Sequence, residues 1–142
     1  MTGLRFADVQ VGWEMPSASY GPITTTDMVK WAAASGDYNP IHYDKDVALA
    51  QGLPGVVIAG PLKLALLVAT LRRWIGPRGR LKRLTSSYRG MDYPGDVLTC
   101  GARVVAKGTG QDDECWIDLE TWVSNQRGER TVIGTARVLL WP

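Results

Sequence analysis

The segment Leu62–Leu71, LKLALLVATL, is the most apolar helix candidate in the chain and constrains the fold more than any other segment. Only Lys63 and Thr70 interrupt its aliphatic side chains before two arginines end the pattern. Pro61 suits the first turn of a helix, where its missing N–H costs no hydrogen bond. A helix that is apolar on nearly every side is expected to be buried, most simply by a sheet that wraps around it.

The second half of the chain can form such a sheet, because nearly every second residue in three of its segments is apolar, as in a strand with one buried face. The alternating runs are Val97–Ala106, Cys115–Val123 and Val132–Leu140. Turn-forming residues (GTGQDD and SNQRGER) separate these runs, which is typical of an antiparallel meander. Leu81–Tyr88 and Ser17–Tyr20 complete about five strands. We therefore predict a single α+β domain over residues 1–142, with an antiparallel five-stranded sheet wrapped around one long buried helix.

Two shorter helices are predicted before the long one. Thr25 or Thr26 can cap a helix that extends to about Ala34, and Gly36 can end it in a left-handed conformation. Asp44 is a second candidate cap, for a helix over 45–51. The segment between these two helices holds the only histidine of the chain.

Composition is that of an ordinary soluble globular protein, with 45% apolar and 21% charged residues. A net charge of +2 is too small to indicate a nucleic-acid partner. The longest apolar run, Leu64–Ala69, is far shorter than the roughly 20 residues of a membrane span. The N-terminal sequence MTGLRFADVQVGWEM lacks the basic and apolar regions of a secretory signal. These features predict a cytoplasmic protein.

The cysteine pattern predicts neither a disulfide nor a metal site. Cys100 and Cys115 lie on strands that should turn around Gly108–Asp112, at positions that do not face each other across the hairpin. We therefore expect two buried free thiols. A single histidine and the lack of a CxxC motif argue against bound zinc.

The motif S-G-D-Y-N-P-I-H-Y-D, Ser35–Asp44, places Asp37 and Asn39 shortly before His42. Pro40 fixes its own φ and favours an extended Asn39, so the preceding helix cannot continue and a rigid bend can direct a carboxylate and an imidazole into one volume. Such a dyad can hold a water molecule and transfer protons. The same residue types also form ordinary turns, and spacing alone leaves both interpretations open.

The motif resembles the signature of the MaoC-like, (R)-specific enoyl-CoA hydratases, a family with the hotdog fold. Its pattern is Ser/Thr-Gly-Asp-x-Asn-Pro-aliphatic-His, then five residues and Ala or Ser, and here YDKDV and Ala48 follow His42. FADVQVGWEMP, AQGLPGVVIAG and the long helix also occur in the family's order. The resemblance covers most of the chain and becomes weaker after about Arg103.

This resemblance implies a role for each matched residue. Asp37 and His42 would bind and activate water, Asn39 would help to orient it, and the assignment of each proton to one of the two stays open. The thioester oxygen gains negative charge during the reaction, and the family stabilises it with the backbone N–H of a glycine at the start of the long helix. Gly60 occupies that place, and Gly60 and Leu62 are the donors nearest the helix start, since Pro61 has none.

The loop before the long helix departs from the family pattern. Many relatives read Ala-His-Gly-(Met/Leu)-(Leu/Cys)-(Ser/Thr), whereas this chain reads Ile-Ala-Gly-Pro-Leu-Lys over 58–63. A loop histidine is missing and Lys63 replaces a hydroxyl residue. Some members that lack the usual loop serve as one subunit of a heteromeric hydratase for bulky acyl-CoA, including steroid side-chain thioesters.

A basic run follows the long helix. It contains six positive charges within twelve residues: Arg72, Arg73, Arg78, Arg80, Lys82 and Arg83. These side chains are candidate contacts for the phosphates of coenzyme A. A solvated surface that complements the helix dipole would have the same composition.

Trp116 and Trp122 share one face of a predicted strand, opposite the face of Cys115 and Val123. A partner subunit or loops of the same chain could cover these indoles. The family resemblance implies pairing of hotdog chains, with two helices back to back across a dimer. A homodimer and a hetero-oligomer with a second hotdog chain both fit.

The sequence therefore predicts a hydratase or dehydratase, with three alternatives for its organisation. The first is a self-sufficient (R)-specific enoyl-CoA hydratase, or a 3-hydroxyacyl dehydratase in the reverse direction. The second is the catalytic subunit of a heteromeric hydratase for bulky acyl groups. The third is a non-catalytic subunit that binds acyl thioesters. The substrate would be a thioester of coenzyme A or of an acyl carrier, and neither a metal nor a redox cofactor is expected.

Overall fold

The computed structural model describes residues 3–142, which contain five strands and three α-helices in the predicted order. The elements are β1 (Ala18–Tyr20), α1 (Thr25–Ser35), α2 (Lys45–Ala50), α3 (Gly60–Ile75), β2 (Gly79–Tyr88), β3 (Leu98–Thr109), β4 (Cys115–Ser124) and β5 (Arg130–Leu140). Short 3-10 turns include Pro40–His42, between α1 and α2. The predicted α+β architecture is confirmed.

The sheet is antiparallel throughout and has the strand order β1-β3-β4-β5-β2. The predicted meander of β3, β4 and β5 forms its centre. Cys100 is opposite Val123, whereas Cys115 is opposite Thr109, so the two cysteines do not face each other. Both are buried free thiols, as predicted.

The predicted burial of α3 on nearly every side is only partly right. The helix buries one stripe of side chains: Lys63, Leu67, Thr70, Leu71 and Ile75. Ala65 and Val68 are partly exposed on another side, and Ala69 is exposed. Polar residues can lie in the stripe because each finds a partner: the hydroxyl of Thr70, for example, lies 2.7 Å from that of Tyr20. The sheet therefore packs on one side of α3, as in the predicted fold, and the opposite side of the helix is only partly covered.

The helices before α3 begin at capping side chains. Thr24, rather than Thr25 or Thr26, caps α1 in a reciprocal box with Asp27, because its hydroxyl oxygen accepts the Asp27 N–H. Gly36 ends α1 in the left-handed conformation, with φ of 73°. The Asp44 carboxylate accepts two N–H groups at the start of α2, as predicted.

Trp116 and Trp122 lie on the outer face of the sheet and are partly exposed there. Trp116 covers its cross-strand neighbour Gly108, and Trp122 covers Gly101 in the same way. The guanidinium groups of Arg137 and Arg130 lie 4.5 and 4.1 Å from the centroids of these two rings, respectively. Each indole is therefore held between a glycine backbone and a cation.

Candidate active site

A series of side-chain to backbone hydrogen bonds shapes the bend between α1 and α2. The Ser35 hydroxyl accepts the Asp37 N–H at 3.2 Å, and the Asp37 carboxylate accepts the Asn39 N–H at 3.2 Å. The Asn39 side-chain oxygen accepts the Ile41 N–H at 3.4 Å and begins the 3-10 turn that ends at His42. Pro40, inside the turn, has no N–H to satisfy. The polar residues of the motif thus hold the bend in one shape.

This bend brings Asp37 and His42 together. The Asp37 Oδ2 atom lies 3.8 Å from the His42 Nε2 atom. The His42 side chain is 13% exposed and that of Asp37 is 35% exposed, so solvent and ligands can reach the pair. A separation of 3.8 Å exceeds a direct hydrogen bond and is short enough for one water molecule to contact both atoms.

The other nitrogen of His42 contacts the main chain. Its Nδ1 atom lies 2.7 Å from the carbonyl oxygen of Val57, which is buried. The Val57 N–H in turn donates to the Ile41 carbonyl at 3.0 Å. Two hydrogen bonds therefore join Val57 to the turn that carries His42. A carbonyl oxygen can only accept, and therefore Nδ1 carries a proton. In the neutral imidazole, Nε2 is then an acceptor that faces Asp37.

Two acceptors that face each other suit a water molecule that donates to both. Its O–H groups would point to Asp37 Oδ2 and His42 Nε2, which leaves an oxygen lone pair free to attack an electrophile. Either acceptor can take the proton that the attack releases, because both begin without one. The arrangement is therefore suited to general base catalysis with water as the nucleophile.

Gly60 is the first residue of α3 and follows Val57 by three positions. Three residues span at most about 10 Å, so the start of the helix is held near the imidazole. No hydrogen bond from the Gly60 N–H occurs within residues 3–142. The Leu62 N–H, by contrast, donates to the Ala59 carbonyl at 3.1 Å. Of the two predicted oxyanion donors, the Gly60 N–H is therefore available and the Leu62 N–H is engaged within the first helical turn. The oxyanion role of both stays a prediction.

The Gly60 backbone also carries an aromatic contact. A Cβ atom at Gly60 would lie 3.0 Å from two carbons of the Tyr88 ring, which is itself 50% exposed. The missing side chain thus makes room for the last residue of β2 beside the helix start. Neither the contact nor a role for Tyr88 follows from the sequence pattern.

The Asn39 side chain contacts the main chain of its own turn. Its side-chain oxygen caps the turn that carries His42, so Asn39 positions the imidazole. Its orientation of a water molecule stays a prediction.

The basic run is divided among several surfaces. Arg72, Arg73 and Arg80 line a cavity of about 750 Å³ at the end of α3. Arg78 lines a different cavity, of about 510 Å³, together with Trp74. Lys82 pairs with Glu114 at 2.7 Å, and Lys82 and Arg83 line a third cavity with Asp118. The six cations therefore line three different cavities.

The cavity at the end of α3 is also distant from the candidate active site within one chain. Arg72 follows Gly60 by twelve residues, which corresponds to about 18 Å along a helix. A phosphate contact by Arg72, Arg73 or Arg80 stays a prediction.

Two further groups near the site were not predicted as site residues. The Val57 carbonyl is a backbone group, which no residue type could reveal. Lys63 follows Gly60 by three residues, and its side chain is buried against Asp92. Its place in the stripe of Leu67, Thr70 and Leu71, at helical spacing, is the signal from which its burial could have been read.

Parts of two fungal fatty acid synthase subunits are similar to this chain. It is 27% identical to the fatty acid synthase β subunit TOXC of Cochliobolus carbonum over 110 residues, which are 76% of this chain and 5% of the relative. It is 35% identical to the fatty acid synthase subunit β of Aspergillus oryzae over 79 residues, which are 54% of this chain and 4% of the relative. The chain thus spans only about one twentieth of the length of these relatives.

Solved structures share the fold over nearly the whole chain. The R-hydratase PhaJ1 of Pseudomonas aeruginosa has a TM-score of 0.84 and 25% identity, with 97% of this chain and 86% of that one covered. The (R)-hydratase of A. caviae involved in PHA biosynthesis has a TM-score of 0.83 and 24% identity, with 94% and 98% covered. The ChsH1–ChsH2 complex of Mycobacterium tuberculosis has a TM-score of 0.81 and 23% identity, with 93% and 98% covered.

These likenesses confirm the predicted hotdog fold, in which α3 lies against the antiparallel sheet. Within residues 3–142, no helix is long and apolar enough to cross a membrane. The model of the MaoC like domain matches residues 12–131, which include the bend with Asp37 and His42, all of α3 and most of the sheet. The chain therefore belongs to the MaoC-like domain family.

Proposed function

We propose that this chain catalyses the (R)-specific hydration of a trans-2-enoyl thioester of coenzyme A to the (R)-3-hydroxyacyl thioester, or the reverse dehydration. The observation that carries the proposal is the 3.8 Å approach of Asp37 Oδ2 and His42 Nε2, with the imidazole held by Val57. The names of the similar structures, which include two R-hydratases, and of the fatty acid synthase relatives support acyl chemistry.

In the proposed reaction, a water molecule lies between Asp37 and His42 and attacks C3 of the conjugated thioester. The new C3–O bond forms as one of the two acceptors takes a proton from the water. The electrons of the C2=C3 bond move toward C2 and the thioester oxygen, and a proton is then delivered to C2 on the same face. One proton is taken and one is returned, so the reaction uses neither a metal nor a redox cofactor.

Negative charge on the thioester oxygen would be stabilised by the Gly60 N–H. This group is the first donor of a sixteen-residue helix and is free of other partners in residues 3–142. The helix dipole adds positive potential at the same point. One such donor lowers a barrier by about 3 to 4 kcal/mol in enzymes that use an oxyanion hole.

The proposal is tested by removing each member of the pair. Asp37→Asn and His42→Ala are expected to lower kcat/KM for enoyl-CoA hydration by about two to four orders of magnitude. The reaction is followed by the loss of ultraviolet absorbance of the conjugated thioester, with substrates from short chains to steroid side chains.

Asp44→Asn is the matched control, because Asp44 belongs to the same segment and caps α2 rather than facing His42. Asparagine caps helices as well as aspartate does, so this variant should keep wild-type activity. Circular dichroism verifies that all variants fold. The assignment fails if folded Asp37→Asn or His42→Ala retains near-normal turnover of a substrate that the wild type hydrates.

The substrate series also separates this proposal from the heteromeric alternative. The second candidate is a chain that needs another hotdog subunit, and bulky acyl groups are the substrates that the sequence resemblance implies for it. The loop over 58–63 departs from the usual family pattern, and the chain is similar in fold to a chain of the ChsH1–ChsH2 complex. Inactivity of the isolated chain on every substrate, and activity after a second hotdog chain is added, would favour this alternative. Binding of acyl-CoA without turnover in either case would indicate a non-catalytic subunit.

A further inference from the structure

Lys63 and Asp92 form a buried ion pair at the start of α3. The Lys63 ammonium donates to the Asp92 carboxylate at 2.8 Å and to the Gly90 carbonyl at 2.9 Å. Lys63 is 1% exposed and Asp92 is fully buried. Charges at such depth are costly unless they are paired and hydrogen-bonded, so this pair needs its complete set of partners.

The Asp92 carboxylate receives two more donors. The Thr131 hydroxyl donates to the oxygen that Lys63 binds, and the Asn125 amide donates to the other oxygen at 2.9 Å. Asn125 belongs to the turn between β4 and β5, and Thr131 is the second residue of β5. The cluster therefore fixes the segment 90–92 against the sheet and against the first turn of α3.

The backbone of Asp92 extends this cluster to the candidate active site. Its carbonyl oxygen accepts the Ile58 N–H at 2.8 Å. That N–H belongs to the same peptide group as the Val57 carbonyl, which binds His42 Nδ1 at 2.7 Å. A planar peptide group is thus held at both ends, by Asp92 on one side and by the imidazole on the other.

We propose that Lys63 and Asp92 are positioning residues, which hold the Val57–Ile58 peptide group and thereby fix the tautomer and orientation of His42. Their catalytic effect rests on the proposed hydratase function, whereas their effect on the imidazole does not. The hydrogen bonds of a buried ion pair are directional, so they hold a loop in one orientation. Apolar packing at the same place is not directional and would allow other orientations. Small errors in the position of a catalytic group have large effects on rate.

The first test reads His42 directly, because a chain with one histidine has one set of imidazole resonances in ¹⁵N-NMR. In the wild type, Nδ1 should be the protonated nitrogen at a pH where the ring is neutral. Asp92→Asn and Lys63→Met should shift the ring toward the Nε2–H tautomer or to a mixture. The double variant Lys63→Met/Asp92→Leu leaves no buried charge unpaired and keeps the test available if the single variants do not fold. Thr131→Val, which removes one donor, should have a smaller effect.

The second test is kinetic and uses the same variants. In folded variants, kcat should fall about tenfold or more while KM stays within about threefold, because the acyl thioester does not contact the buried pair. Thr70→Val is the matched control. It removes a buried hydrogen bond from the same stripe of α3, about 15 Å along the helix from Gly60, and should change neither the tautomer nor kcat.

The two readouts distinguish the possible failures. Folded pair variants with an unchanged Nδ1–H signal and unchanged kcat would overturn the positioning role. A changed tautomer in a chain that hydrates no thioester, either alone or with a second hotdog chain, would support the positioning of His42 and contradict the hydratase proposal. An equal loss in Thr70→Val would mean that general destabilisation, rather than the pair, is responsible, and would also overturn the inference.

Discussion

At the scale of single residues, the candidate site depends on small polar groups that satisfy the backbone of a sharp bend. Ser35, Asp37 and Asn39 each accept an N–H from a residue two positions later. These contacts leave Asp37 Oδ2 directed toward His42, since its other oxygen is the one that binds the Asn39 N–H. A single carboxylate thus both shapes the bend and faces the imidazole.

Gly60 provides a residue-scale prediction, because its N–H and its missing side chain make separate contributions. Gly60→Ala keeps the N–H but places Cβ 3.0 Å from the Tyr88 ring, at the point where the substrate would approach the backbone. We expect kcat/KM to fall by about one to two orders of magnitude. Steady-state hydration kinetics measure this loss, and thermal unfolding verifies that the variant folds.

Tyr88→Ala, alone and combined with Gly60→Ala, separates substrate approach from packing. Removal of the ring relieves the contact with Cβ, so a double variant with the activity of Tyr88→Ala would contradict a role of Gly60 in substrate approach. The double variant is expected to remain impaired, because Cβ still occupies the space beside the donor.

At the scale of elements, side chains in the connecting turns tie the sheet to the segments beside it. The Asp96 carboxylate accepts hydrogen bonds from the Tyr93 N–H at 2.9 Å, from the Gln126 amide at 2.7 Å and from the Arg127 guanidinium at 3.0 Å. The Asp96 carbonyl also accepts the Ile23 N–H. One buried aspartate therefore links the start of β3, the β4–β5 turn and the segment before α1.

The ionisation of Asp96 makes the stability of this junction dependent on pH. Burial alone would raise the pKa of Asp96, but the hydrogen bonds from Arg127, Gln126 and Tyr93 outweigh it and lower the pKa to about 2. Because the folded pKa lies below the ordinary value of 3.8, the stabilisation is complete above pH 4 and is lost as the pH falls toward 2. Asp96→Asn should lower the free energy of unfolding by about 1 to 2 kcal/mol at pH 7.

Urea unfolding of wild type and Asp96→Asn at several pH values measures this dependence. The difference between the two proteins should shrink as the pH falls from 4 to 2. A difference that stays constant over this range would contradict the ionic origin of the effect and would favour a loss of packing instead.

At the scale of the whole molecule, the exposed side of α3 is the most informative surface. Ala65 and Val68 are only partly covered and Ala69 is exposed, although they belong to the most apolar segment of the chain. We expect a partner to cover an apolar helix face that the sheet of the same chain leaves uncovered. The pairing of hotdog chains that the sequence resemblance implies would cover this side.

The purified chain should therefore sediment as a dimer or a larger assembly. Ala69→Asp places a charge on the uncovered side of α3 and should shift the chain toward the monomer. Ala50→Asp, on the exposed end of α2, is the matched control and should not change the assembly. Analytical ultracentrifugation at several concentrations gives the result, and a fully active monomeric wild type would contradict the prediction.

The sequence was most informative where structure depends on neighbouring residues. The alternating pattern identified all the central strands, and Gly36 and Asp44 were correctly placed at helix ends. The bend of Asp37 and His42 was predictable for the same reason, because Pro40 and the polar side chains act within a few residues. The cap of α1 was misplaced by one or two positions, since three consecutive threonines offer nearly equivalent local signals.

The partner of His42 Nδ1 and the pairing of Lys63 with Asp92 were decided only by the tertiary structure. His42 and Val57 are 15 residues apart, and Lys63 and Asp92 are 29 apart. Local propensity and periodicity do not reveal contacts between residues so far apart in the sequence, because these contacts form only when the loops pack against the sheet. The sequence by itself thus determined the elements and the catalytic candidates, whereas packing determined which groups hold them in place.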